Sequence, residues 1–243
     1  MNSIELKELS KQFKNRAAVD KLTLSVEEGT VFGLLGQNGA GKTTTIKMLC
    51  GLLSPSSGDA FVEGLSVRSK PQEVKKLVAV SPQETAVAKK LTVFENLEFI
   101  AEVYGADSKT AKSQALEMLE RFSLSDRAKD KAKSLSGGMA RKLSIAMALI
   151  TKPKVLFLDE PTLGLDVRAR RELWSVIEEL KGKMTVVLTT HYLEEAEALC
   201  GKIAIMSAGV LRAYGTAEDI IKQSGAGSFE DAFLFFTDKE DEK

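Results

Sequence analysis

Eight consecutive residues constrain this chain more than any others: Gly36-Gln37-Asn38-Gly39-Ala40-Gly41-Lys42-Thr43 fits G-x-x-x-x-G-K-[S/T] in full. Glycines at this spacing let successive backbone amides turn inward around an anion, at the positive end of the helix that follows. The lysine neutralises the β- and γ-phosphates of a nucleoside triphosphate, and the threonine hydroxyl is offered to Mg²⁺. Such a loop works between a buried strand and a helix. Thr30 to Leu35 reads as that strand, running into Gly36, and the pattern turns helical from Gly41 to Leu52. From background residue frequencies, a chance match in a chain of this size has odds on the order of 1%.

The rest of the pattern tells what the loop is set into. Ile4 to Leu9 and Leu22 to Val26 alternate apolar and polar residues, as half-buried strands do, and Ala60 to Val62 and Leu77 to Val80 are further strands. Ser54 to Gly58 is a turn. The middle is helical. Thr92 with Glu95 forms a capping box that opens a stretch to Tyr104; Ser108 to Phe122 follows, with Ala111, Ala115, Leu119 and Phe122 on one face. A third helix follows Ser136, with Met139, Leu143, Ala146, Met147 and Ile150 at helical spacing. Strands at Val155–Leu158, Thr185–Thr189 and Ile203–Met206 then alternate with helices at Val167–Leu180 and Leu193–Leu199. Short apolar strands alternating with helices indicate a doubly wound, mainly parallel sheet. The expected fold is therefore an α/β P-loop core with an N-terminal antiparallel β subdomain and an inserted helical subdomain.

Composition narrows the function. Lys plus Arg (34) equals Asp plus Glu (34), so the chain lacks the net charge of a nucleic-acid binder, and no nucleic-acid partner is expected. Cys50 and Cys200 stand outside any metal-ligand spacing and read as free thiols of a cytosolic protein. Residues 1–13 carry charges where a signal peptide would be apolar. The longest apolar stretch, Leu143 to Ile150, is interrupted by Ser144 and falls far short of the ~20 residues that cross a bilayer. If the protein acts at a membrane, it acts through a partner.

Two further constellations carry chemistry. Val155 to Glu160 is an apolar strand ending in two carboxylates. Asp159, at its C-terminal edge, suits Mg²⁺, and Glu160 points to where a γ-phosphate would lie and can accept a proton from an attacking water. Leu135-Ser136-Gly137-Gly138-Met139 places an N-cap serine before two glycines that leave the amides of the next helix open to an anion. A second phosphate-binding helix terminus calls for a second phosphate site.

Leu135 to Met139 resembles the signature motif of the ATP-binding cassette family, and several other positions agree in the family's order over about residues 2 to 236. Gln83, in Ser81-Pro82-Gln83-Glu84, matches the glutamine loop; Gly164-Leu165-Asp166, after Pro161-Thr162, matches the aspartate loop. His191, the only histidine, matches the switch histidine, and Phe13 stands where an aromatic stacks on adenine. The signature ends in Met139 where glutamine is commonest, and Phe13 replaces the commoner tyrosine; neither change removes a group the chemistry needs. The resemblance implies that ATP is held by Phe13, Gly36 to Thr44 and Gln83. It implies that Mg²⁺ is held by Thr43, Gln83 and Asp159, and that Glu160 and His191 serve hydrolysis. It also implies a second nucleotide-binding subunit, identical or not, whose Ser136, Gly137 and Gly138 close over the nucleotide while Asp166 links the two sites.

The family pairs such subunits with a transmembrane permease, so the expected place is the cytoplasmic face of the cell membrane. His191 to Glu197, followed by Phe229 to Leu234, resembles the exporter branch, whose permease is a separate polypeptide. The expected organisation is a nucleotide-binding domain over 1–225, its helical insertion over 84–152, and a C-terminal helix with a charged tail over 226–243. Three other readings compete: an importer ATPase, a soluble cassette ATPase of translation or DNA repair, and a regulatory cassette that binds ATP without turnover. One cassette with neither charged linker nor long coiled coil argues against the second of these, and intact Glu160 and His191 argue against the third.

Overall fold

The structure is a computed structural model that describes residues 1–238 of the 243. In chain order the N-terminal part contains β1 (Asn2–Phe13), β2 (Arg16–Glu27), β3 (Val31–Leu35), α1 (Lys42–Leu49), β4 (Ser57–Val62), β5 (Leu65–Ser66), α2 (Pro71–Lys75) and β6 (Val78–Ser81). The helices α3 (Val93–Val103), α4 (Ser108–Arg121) and α5 (Gly137–Leu149) follow. The remainder is β7 (Val155–Asp159), α6 (Val167–Glu178), β8 (Thr185–Thr190), α7 (Leu193–Leu199), β9 (Lys202–Ser207), β10 (Val210–Gly215), α8 (Ala217–Ser224) and α9 (Phe229–Thr237).

The strands sort into two sheets. β2-β1-β4-β5 is antiparallel throughout, while β10-β9-β3-β8-β7-β6 is parallel except for β10 at its edge. This is the expected P-loop α/β core with an antiparallel β subdomain, and α3 to α5 lie between the adjacent parallel strands β6 and β7. The first hairpin is longer than its alternation suggested. Register shifts between Leu6 and Leu9 and again between Leu9 and Lys11, with Glu8 at φ 48°, break the period of two, so sequence pattern marks only the regular stretches. Conversely α1 ends at Leu49 rather than Leu52, and β4 starts at Ser57, inside the expected turn. Four elements carry no clear pattern and were not anticipated: β5, α2, β10 and α8. β10 is a half-buried edge strand, and α8 starts from a Thr216–Asp219 capping box where aspartate replaces the usual glutamate. The expected charged tail, Lys239 to Lys243, lies outside the described residues.

Three apolar clusters hold these layers together. One joins the helical insertion to one face of the parallel sheet through Leu97, Leu119, Leu143, Leu156 and Leu188. A second fills the space between the two sheets, through Ile4, Leu22, Phe32, Val62 and Phe157. The third packs Phe229 and Phe233 of α9 on Leu35, Ile203 and Ile205. Thr92 and Glu95 form the expected reciprocal cap on α3. Asn96, one turn on, is buried and holds the preceding loop by hydrogen bonds to both the amide and the carbonyl of Ala88, at 2.8 and 3.2 Å.

Strand order positions the site. Leu35 pairs with Thr190, Asp159 with Thr189, and Ser81 with Leu158, so β3, β8, β7 and β6 end side by side along one edge. Gly36, His191, Glu160 and the loop of Gln83 therefore emerge in a row at the carboxyl ends of the strands, where doubly wound sheets bind ligands. Among the described residues no helix is long and apolar enough to cross a membrane.

Candidate active site

β3 is buried along its whole length, and the chain leaves it at Gly36 through a loop with no room for side chains at two points. A Cβ on Gly36 would strike the carbonyl of Met206, and one on Gly41, at φ 102°, would strike that of Ala18. Gly41 is also the cap of α1 and offers no side chain to its first turn. The helices α3, α4, α5, α6, α8 and α9 are all capped by a Thr, Asp or Ser side chain. The amides at the start of α1 thus remain open to an external anion.

Lys42 is buried and folds back across this loop, donating to the carbonyl of Gly36 at 2.5 Å and lying 3.4 Å from Glu160 Oε1. The other oxygen of Glu160 is 2.8 Å from His191 Nδ1, so one carboxylate is bracketed by the lysine and the histidine. Its backbone is equally constrained. Glu160 stands at φ 49°, a conformation costing a non-glycine residue about 1–3 kcal/mol, and its amide donates to Thr189 Oγ1 at 3.0 Å. Asp159 accepts from the hydroxyls of Thr43, at 3.1 Å, and Thr189, at 2.5 Å. Thr43 and Asp159 thus present hard oxygen donors to one spot at the head of α1.

A cavity of about 310 Å³ opens over these groups. Phe13, Gln37 to Thr44, Gln83 and Glu160 are among the residues that line it. Phe13 is 47% exposed; Lys11 Nζ lies over one face of the ring, 5.3 Å from its centroid, which leaves the other face for stacking. The expected phosphate, metal and hydrolysis residues are all brought together here. Ser136, Gly137, Gly138 and Asp166 are not. They line a separate cavity of about 480 Å³ that shares no residue with the first. Ser136 caps α5 through the amide of Met139, and Asp166 caps α6 through that of Ala169, so two helix N-termini lie side by side on an exposed face.

Sequence reasoning missed four groups at the site, one of them Thr189, which bonds both Asp159 and Glu160. Arg16 lines the first cavity. Arg141, on α5, is buried and donates to the carbonyls of Pro82 and Gln83, at 2.5 Å each, and of Glu160, at 3.3 Å. Its signal was an arginine in register with the buried stripe of Ser144, Ile145 and Ala148. Glu195, on α7, is fully buried and accepts from Trp174 Nε1 at 3.2 Å. Burial pushes its carboxyl up from the ordinary 4.5, against the pull of its hydrogen bonds. Its neighbours Glu194 and Glu197 disguised it as one more solvated charge. The thiols of Cys50 and Cys200 are both pushed up by burial and stand outside this chemistry.

The profile of the ABC transporter family matches residues 19–163, more than half of the chain. The chain belongs to the ABC transporter family. It is an ATPase domain of that family, and ATP is its nucleotide. The linearmycin resistance ATP-binding protein LnrL of Bacillus subtilis is 39% identical over 223 residues, covering 91% of this chain and 72% of that protein. The phospholipid-transporting ATPase ABCA3 of Homo sapiens is 42% identical over 228 residues, covering 92% of this chain but 13% of that much longer protein. A solved ATP-binding subunit of an ABC transporter superposes with a TM-score of 0.86 at 31% identity, over 96% of this chain and 98% of its own.

Proposed function

We propose that this chain hydrolyses ATP as one of two nucleotide-binding subunits and powers export through a separate membrane-spanning permease. The observation that carries the proposal is the division of the ABC motifs between two faces. The phosphate loop and Glu160 line one cavity, with Asp159 bonded to Thr43 and His191 to Glu160 at its edge, while Ser136 to Gly138 and Asp166 line another. A second subunit turned to face the first would set its Ser136 face over the phosphates held by Gly36 to Thr44. ATP would then add contacts that exist only in the closed pair, and hydrolysis would remove them.

In the catalytic step the adenine rests on Phe13, the loop amides and Lys42 hold the β- and γ-phosphates, and water is aligned beside Glu160. The water oxygen bonds to the γ-phosphorus, its proton passes to Glu160, and the bond from that phosphorus to the bridging oxygen breaks to release ADP. His191 keeps the Glu160 carboxylate aimed and reaches toward the γ-phosphate. The oxygens of Thr43 and Asp159 fit Mg²⁺, which takes one or two protein oxygens and leaves the rest to phosphate and water, and Gln83 would complete that shell. When bound there it neutralises charge developing on the phosphates.

For the permease, a largely apolar groove of about 370 Å³ runs beside the Gln83 loop, lined by Leu52, Pro82, Ala86, Ile100, Tyr104 and Met147. Leu52 and Tyr104 are exposed by 63% and 58%, as docking residues would be. The resistance and phospholipid-transport roles named for LnrL and ABCA3 favour export. Such docking would place the chain on the cytoplasmic face of the membrane. Purification from native membranes with mild detergent should recover a multi-span permease with this chain; recovery of ribosomes or DNA instead would sink the transport reading. On a sizing column with ATP and Mg²⁺, Glu160→Gln should run as a dimer, and a monomer there would sink the paired arrangement.

A further inference from the structure

We infer that Arg141 is a positioning residue for hydrolysis, tying the Gln83 loop to the backbone of Glu160 so that the groove and the catalytic carboxylate move together. This rests on the assignment of Glu160 as the base.

The geometry is specific. Arg141 lies in the second turn of the helix whose first turn carries Gly137 and Gly138, and it is 4% exposed. One arm of its guanidinium donates to the carbonyl of Pro82, and the other is shared between the carbonyls of Gln83 and Glu160. Three segments far apart in sequence thus converge on one side chain: the signature helix, the loop after β6, and the turn after β7. One turn further along the same helix, Ser144 Oγ lies 3.0 Å from Ser81 Oγ, so the end of β6 is held to this helix at a second point. Pro82 and Ser144 both line the groove, whereas Gln83 and Glu160 both line the ATP cavity. Arg141 itself lines neither, and sits behind both.

This arrangement acts on a peptide under strain. Glu160 stays at φ 49° because its amide is pinned to Thr189 on one side and its carbonyl is held by Arg141 on the other. An occupant of the groove that displaces Pro82 pulls on the guanidinium fork, and the fork passes the displacement to the Glu160 carbonyl. Only arginine suits the position. A planar fork reaches carbonyls from two loops at once, which a single ammonium on a flexible stem does not.

A merely structural arginine would also satisfy three buried carbonyls, so the test needs a readout that stability alone does not move. The measurements are steady-state phosphate release, ATP affinity and thermal melting of the purified chain, for Arg141→Lys, Glu160→Gln and the double variant. Arg141→Lys should lower kcat by about 10- to 100-fold with ATP affinity within about threefold of the parent. Combined with Glu160→Gln it should cost nothing further, because a residue acting through Glu160 has nothing left to position. Should the lysine variant melt below the assay temperature, Arg141→Gln, whose amide still donates to two carbonyls, takes its place with the same expectations. Parental kcat in these variants, or a loss that multiplies with that of Glu160→Gln, would overturn the inference while leaving the base assignment intact. A Glu160→Gln variant that turns over normally would instead overturn the base assignment, and this inference with it.

Discussion

The two faces of this chain that carry the ABC motifs are built in opposite ways. At the phosphate-loop edge Lys42, Asp159 and Glu160 are all buried, and each already has partners within the chain. At the signature edge Ser136, Gly137 and Asp166 are exposed, and the two side chains cap their own helices. The first edge is organised before any nucleotide arrives, because charged groups can be buried only when paired. The second remains a surface of helix N-termini, suited to an anion presented from outside. The contrast teaches that one chain carries two different halves, one buried and already paired, the other an exposed face.

That contrast can be broken experimentally at several points. The largest effect belongs to Glu160→Gln, which should lower turnover by about 10²- to 10⁴-fold while ATP titration stays close to the parent; normal turnover would mean that the buried edge does not hold the base. Next, Lys42→Ala should weaken ATP binding by at least about 30-fold, measured by nucleotide titration, and unchanged affinity would contradict the phosphate loop.

The signature edge should behave differently. Ser136→Arg should leave ATP binding to the isolated chain within about twofold of the parent, since no residue of that edge lines the first cavity. It should nevertheless suppress turnover. Mixing Ser136→Arg with Lys42→Ala, each inactive alone, should restore about a quarter of parental activity, because half of the pairs would then hold one intact composite site. No recovery on mixing would break the two-halves reading.

The smallest effect concerns Glu195, buried near Glu160 with its carboxyl pushed up. A raised folded pKa gives stability that is fully present below the unfolded value, near 4.5, and is lost as pH rises through the folded value. Glu195→Gln escapes that loss. Its melting temperature relative to the parent should therefore rise from pH 5 to pH 8, and a constant difference would contradict the shift.

How much of this was legible in the sequence depends on how local each signal is. The phosphate loop and the Asp159–Glu160 pair could be read from residues alone, because contiguous spacing and a buried strand dictate their geometry. Gln83, His191 and Phe13 carry no such local signature and were placed only through family resemblance. Arg141, Thr189 and Glu195 were missed because their importance lies in what they touch across 19, 30 and 21 residues of chain. Elements show the same split: α3 announced itself by its cap and α4 by its apolar face, whereas β10, half-buried at a sheet edge, did not.

By itself the sequence determined the loop from Gly36 to Thr43, the carboxylate pair, the order of the strands and helices with a clear period, and the capped signature. Each of these is written in neighbouring residues, whose backbone preferences and hydrophobic period act over a few positions. Only the tertiary structure decided that β3, β8, β7 and β6 lie side by side, that His191 and Lys42 bracket Glu160, and that Arg141 bonds the carbonyls of Pro82, Gln83 and Glu160 together. The physical reason is that sheet order and buried polar contacts are settled by packing between distant segments, and no local period records which segments those are.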